Sequence, residues 1–371
     1  MIDLNTAPHR IYITADLAAD DLIQPVGFKD IGNVAPYRMG DHKELLIDTE
    51  AAMANWLEAP LMCEPDEVTL VTPLKGLPHV QAIIKENNQE RILTTSLLEA
   101  HRIASYYLFG YKHKQKDSVG ITEFGYKHKQ KDSVGITEFG KELQAKLQGK
   151  AAYPGYFQEL VKAIFQVDPN SLVHGVFFPH LQGVKNRIPR TLSVRVRGIN
   201  PEAVSLGGVK LERVTASGGD AKKGASQVPY FRKLFAVERV EFRAAIDVHQ
   251  IRQFGFGEGT QAVGLSEPQK TLILALCLWK IRKFLTLPYR PRTACDLMPN
   301  EQLSANWSDF PSLEDLEKQL PKLIKEAYQD VPEDQRVATV LLSSGDLEAA
   351  KKASTSEAQT QKDEDAENAE D

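Results

Sequence analysis

The sharpest alternation in the chain is SVRVR at residues 193–197, where Val194 and Val196 fall on one side of a strand and Arg195 and Arg197 on the other. That spacing predicts a half-exposed strand with two parallel guanidiniums on its open face. The strongest helical segment is 271–285 (TLILALCLWKIRKFL), apolar all round at first and therefore buried, with Cys277 as a small core residue. It turns basic at Lys280, Arg282 and Lys283, where the helix dipole favours cations. Apolar spacing predicts further helices over 44–57, 95–108, 156–165 and 313–328, the last despite Pro321. Within 95–108, Ser96 and Glu99 have capping-box spacing, and Glu99 and Arg102 lie three apart and can pair. His101 and Arg102 then either pack at a domain edge or present to a ligand. Strands are expected over 68–71, 172–178, 209–214 and 235–244, with a turn at Asp168-Pro169-Asn170.

Composition changes this picture mainly through where the charge sits. The chain has 371 residues, is 42% hydrophobic and carries a net charge of -5, which is enough apolar content for a large core and excludes disorder throughout. Residues 341–371 hold nine acids against three lysines, so this stretch carries -6 and the first 340 residues +1. A single folded unit over 1–345 is expected, followed by a disordered acidic tail over 346–371. Against that near-neutral body, residues 185–197 and 280–292 each place five basic residues in thirteen without one acid. Such placement points to a polyanion. Cys63, Cys277 and Cys295 are few and far apart with no CxxC, which fits free thiols in a reducing compartment. The absence of a signal pattern, and of any apolar run near the ~18 residues of a membrane span, predicts a cytoplasmic protein without membrane contact.

One stretch is a tandem repeat. FGYKHKQKDSVGITE at 109–123 recurs unchanged at 124–138, and Phe139-Gly140 begins a third copy. Fifteen residues is too short for a solenoid unit. The repeat reads either as a duplication carried in an exposed loop or hairpin, or as a basic ribbon facing a polyanion.

Catalytic motifs are lacking. GFGEG at 255–259 has neither the GxGxxG spacing nor a strand-to-helix context, and no GxxxxGK[ST], HExxH or GxSxG occurs. No metal or cofactor is expected. Asp168, Asp247 and Asp296 share no pattern that would group them. A binding module needs phosphate contacts, aromatic or guanidinium surfaces and flexible hairpins; Arg195, Arg197, Tyr289, Arg290 and Arg292 supply candidates. Lys222 and Lys223, in the glycine-rich SGGDAKKGAS at 217–226, add a loop able to approach a backbone closely, although an ordinary mobile loop has the same composition.

Several blocks then carry a resemblance. TSLLEAHRIAS (95–105), DPNSLVHGVFF (168–178), GVKNRIPRTLSVRVRGIN (183–200), SLGGVKLERV (205–214) and LALCLWKIRKFLTLPYRPRTACDL (274–297) resemble, in order, the backbone subunit of the type I-G (formerly type I-U) CRISPR effector complex, of the RAMP superfamily. The resemblance covers roughly residues 90–300 and implies an α/β (α+β) fold, an RRM-like antiparallel palm with a projecting thumb. It further implies that copies line up along CRISPR guide RNA as a filament and present it for pairing with target DNA. The implied partners are neighbouring copies, the large subunit, the guide-end processing or capping subunit, and a recruited helicase-nuclease that does the cutting; the chain itself is then not an enzyme. At matching positions, Arg102, Lys185, Arg187, Arg190, Lys210, Arg290 and Arg292 are implied to meet guide phosphates. Arg195 and Arg197 rest on the alternation alone. The repeat and the acidic tail lie outside the family-like pattern, and the thumb is either 217–226 or the repeat. The competing readings are a metal-dependent RNA endonuclease, which would need an acid such as Asp220 in the projecting loop, and a scaffold without RNA contact.

Overall fold

The computed structural model describes residues 2–28, 32–64, 69–86, 89–110, 114–118, 128–132, 137–149, 155–181, 184–213, 225–257, 259–293 and 295–342. Along the chain run β1 (Arg10–Ala19), β2 (Tyr37–Met39), β3 (His42–Asp48), α1 (Glu50–Glu58), β4 (His79–Glu86) and β5 (Gln89–Thr95). Then come α2 (Tyr156–Val167), α3 (Asn170–His174), β6 (Val176–Leu181), β7 (Val184–Ile188) and β8 (Leu192–Ile199). The last part holds β9 (Glu202–Arg213), β10 (Ala225–Ala236), β11 (Arg239–Asp247), α4 (Glu267–Phe284), β12 (Tyr289–Arg292), β13 (Cys295–Ala305), α5 (Leu313–Ala327) and β14 (Val337–Leu342).

The main sheet is antiparallel, in the order β12-β13-β1-β11-β8-β3-β2. Period-two patterning decides its faces. Ile11, Ile13, Ala15 and Leu17 of β1, Val240, Phe242, Ala244 and Ile246 of β11, and Val194 and Val196 of β8 all point inward and are buried. Against that face lies α4, whose residues 272–281 are buried without a break, which explains why its apolar positions show no one-sided stripe. Ser266 and Gln269 close a capping box at its start. Packed on α4 are α1, α3 and α5. In α5, Leu316, Leu320 and Ile324 form the buried stripe while Pro321 sits on the exposed side, so the helix continues through the proline. Among the described residues, most buried apolar side chains belong to one cluster with members from Ile2 to Leu342, while Leu45, Ile84, Ile199, Leu234 and Phe235 are buried outside it.

Smaller sheets decorate this core. β14 runs parallel to β4, which pairs antiparallel with β5. β6 and β7 form a hairpin, and β9 and β10 form a twelve-residue ribbon whose root is fixed by buried Leu234 and Phe235 and by the Ile23–Phe235 bridge. The segments 114–118 and 128–132, one from each repeat copy, pair antiparallel. Phe109 and Phe139, which open the first and third copies, are both buried.

Four expectations are corrected. The 44–57 helix is a strand followed by a helix, because Thr49 caps α1 from outside and residues 42–48 complete the sheet. The 95–108 helix is replaced by the end of β5 at Thr95 followed by turns and one 3-10 turn (Arg102–Ala104); the hydroxyl of Thr95 accepts from the Leu97 amide, closing a turn where a helix would have begun. The 172–178 strand begins at Val176, after α3, and Gly175 at φ +79 makes the break. The 235–244 strand is two strands, parted where the Glu238 amide donates to Ile199 O. The 156–165, 193–197, 271–285 and 313–328 elements lie where the pattern puts them. The expected disordered tail lies outside the described residues.

Candidate nucleic-acid interface

A cleft of about 800 Å³ opens where β1 and β8 begin and β11 ends, beside the β6–β7 hairpin, lined by Arg10, Arg102, His174, Phe177, Arg187 and Arg190 among others. The hairpin alternates as a two-stranded ribbon must. Val176, Phe178, Asn186 and Ile188 face inward and are buried, whereas Phe177 and Arg187, directly opposite each other, face out. Arg190 lies in the linker to β8 and donates from Nε to His174 O at 3.2 Å. Its guanidinium pKa is held below the usual value by burial, then by the neighbouring Arg102 and Arg187 cations, with Glu50 opposing. Like charges crowded this way favour an anion between them. Glu50 and Asp247 are the acids on the wall, and they pair with Arg195 and with Arg10 (2.8 Å) respectively.

Beneath the cleft is a buried polar network. Arg102 donates from Nε to Glu58 Oε1 at 2.9 Å and from NH2 to Oε2 at 3.1 Å. Asn170 Nδ2 also donates to Glu58, and Lys280 Nζ donates to Asn170 Oδ1 and, at 2.8 Å, meets His174 Nε2. Burial pulls the Lys280 ammonium down to about 8 and pushes the Asp168 carboxyl up to about 6, while burial and then the Lys280 charge hold His174 well below its ordinary value. Arg102 sits at φ +52, a left-handed conformation that costs a non-glycine residue roughly 1–2 kcal/mol and is kept here by the surrounding contacts.

The two basic segments divide sharply. From the first, Arg187 and Arg190 reach the cleft. Arg195 stands half-exposed on the open sheet face against Glu50, and Arg197, on the same face as the alternation requires, is buried with NH1 2.6 Å from Glu44 Oε2. The side chain of Lys185 lies outside the described residues, as does that of Lys210, while Lys222, Lys223 and Asp220 lie outside them altogether. The second segment is mostly internal. Tyr289 is buried, edge-on to Trp56 and Phe284, and donates its hydroxyl to Asp48 Oδ2 at 2.5 Å; a base has no access to its ring, which corrects the stacking expectation. Arg292 donates to Ile47 O at 2.7 Å and Gln24 O at 2.9 Å, so it holds the chain together at the sheet edge. Arg282 donates to Pro311 O and lies over the Phe310 ring. Arg290, paired with Asp296 at 3.0 Å, remains well exposed. Arg102 lines the cleft but is committed to Glu58, not to Glu99.

Phe177, Arg10 and Glu58 were not singled out from the sequence. Phe177 had a signal, since VFF followed by a second strand places alternate aromatics in and out; Glu58 had none, because its partner lies 44 residues away. Among the described residues, no helix is long and apolar enough to cross a membrane.

Two comparisons bear on identity, and a third, with curated proteins, gives no match. A solved chain described as "CRISPR RNA-guided surveillance complex, pre-nicking" aligns over 93% of this chain and 99% of its own at 8% identity, with a TM-score of 0.36, too slight a likeness to carry an assignment. The model of the family described as CRISPR-associated protein GSU0053 matches residues 17–202, a span holding α1, α3, the β6–β7 hairpin and β8. With half of its length matched in this way, the chain belongs to the GSU0053 family of CRISPR-associated proteins.

Proposed function

We propose that this chain is the backbone subunit of a CRISPR effector complex of type I-G, in the RAMP superfamily, binding guide RNA as a repeated filament and presenting it for pairing with target DNA. The observation that carries the reading is the crowding of Arg187 and Arg190 against Arg102 in an open cleft, a charge arrangement complementary to phosphate. The strand order supports an RRM-like palm. β1, β8, β11 and β13 lie side by side as fourth-first-third-second, with helices between the first pair and between the last pair, as in a split βαβ unit. The long β9–β10 ribbon suits a thumb. In this reading the subunit works with neighbouring copies, the large and guide-end subunits and a helicase-nuclease, in the cytoplasm, and does no chemistry itself.

Purification from cells that make the guide array is the test. A ladder of protected RNA with several copies of the chain per guide supports the reading, and nucleic-acid-free monomer overturns it. Affinity should fall with salt by about 0.7 log unit per log unit for each phosphate neutralised.

A further inference from the structure

Lys280 Nζ reaches His174 Nε2 at 2.8 Å, and an ammonium can only donate. Nε2 is therefore the acceptor, and the neutral ring carries its proton on Nδ1. That N–H is buried, has no hydrogen-bond partner among the described residues, and belongs to a residue lining the arginine cleft. A buried donor left without an acceptor is costly in an isolated protein, and the cost disappears when a ligand oxygen arrives. Its neighbours are cationic: Arg187 and Arg190 on the walls, Arg102 on the floor. At the rim stands Phe177, about half exposed and directly across the hairpin from Arg187. A large ring on a soluble surface beside a guanidinium is a platform for a flat π-system.

We infer that this cleft is a one-nucleotide subsite for single-stranded RNA, in which His174 Nδ1–H, Arg187 and Arg190 hold a phosphodiester and Phe177 stacks on the adjoining base. The inference rests on the proposed RNA-binding function and adds to it a place, a tautomer and an aromatic contact. The phosphate contacts read no sequence, and an aromatic face accepts any base, so the subsite takes a nucleotide without selecting it. Lys280 acts through His174 as a positioning residue, fixing which nitrogen bears the proton.

Histidine-labelled protein gives the test by nitrogen NMR, with a short oligouridylate as probe. His174 should appear as the Nδ1–H tautomer, and its Nδ1 signal should move on adding RNA. Phe177→Ala and Arg187→Ala, both at exposed positions, should each weaken oligouridylate binding about tenfold with no change in thermal midpoint. Lys280→Met should randomise the tautomer and weaken binding in the same sense. If RNA binds and the His174 signal stays still while both exposed variants bind as wild type, the subsite is wrong although the RNA function stands. If no RNA binds, the proposed function falls and inorganic phosphate decides the cleft: movement of the His174 signal keeps an anion subsite, and a still signal removes it.

Discussion

Arg102 and Glu58, 44 residues apart, meet as a two-toothed ion pair at 2.9 and 3.1 Å with both side chains more than nine-tenths buried. Removing one partner strands a charge. Arg102→Ala is expected to cost about 3–5 kcal/mol in denaturant unfolding, whereas Arg102→Met with Glu58→Met should recover most of that loss. Arg102→Lys should behave like the loss, since one ammonium cannot match both carboxylate oxygens.

Tyr289 gives a cleaner separation of stability from binding. Tyr289→Phe keeps the ring against Trp56 and Phe284 but removes the hydroxyl donor to buried Asp48. Stability should fall by about 1–3 kcal/mol while RNA affinity is unchanged. Reduced affinity in a fully folded variant would return Tyr289 to the interface.

Lys280 and Asp168 set opposite pH dependences. The folded-state pKa of Lys280, about 8, lies below its ordinary value, so its burial cost is full below pH 8 and is lost as pH rises from 8 toward the unfolded value; stability gained from this group rises over that window. Asp168, raised to about 6, holds its proton longer when folded, so its contribution falls as pH rises toward 6. Unfolding free energy measured against pH should lose its alkaline rise in Lys280→Met and its acidic fall in Asp168→Asn.

The repeat leaves and re-enters the core at one place. The Thr137 amide donates to Phe109 O at 3.2 Å, and its hydroxyl caps the following helix through the Gly140 amide at 3.0 Å. Deleting fifteen residues regenerates the same Thr-Glu-Phe-Gly at the re-entry point. The shortened chain should fold with stability within about 0.6 kcal/mol of wild type, because halving a closed loop changes its entropy by that amount. Unfolding far outside that range would show that the repeat is structural.

Thiol accessibility tests the core directly. Cys63 is exposed, whereas Cys277 and Cys295 are buried and their thiols are pushed up to about 12 and about 11 by burial. A maleimide should label one thiol in the native protein and three in denaturant.

The sequence by itself determined the elements whose burial is local and periodic. Val194 and Val196 against Arg195 and Arg197 announced β8, and the continuous apolar run announced α4, because side-chain direction there follows backbone geometry alone. Residues 44–57 and 95–108 misled for the opposite reason: their apolar residues suit a helix, yet a neighbouring strand in one case and turn-forming hydroxyls in the other offered better hydrogen bonds. The charges divided along the same line. Sequence counted two equal basic segments, but a count carries no information on partners. Asp48, Glu44 and Glu58 come from other parts of the chain, and they drew Arg292, Arg197 and Arg102 inward. Tertiary structure alone left Arg187 and Arg190 facing an open cleft, because the carboxylates described on its wall, Glu50 and Asp247, are engaged by Arg195 and Arg10.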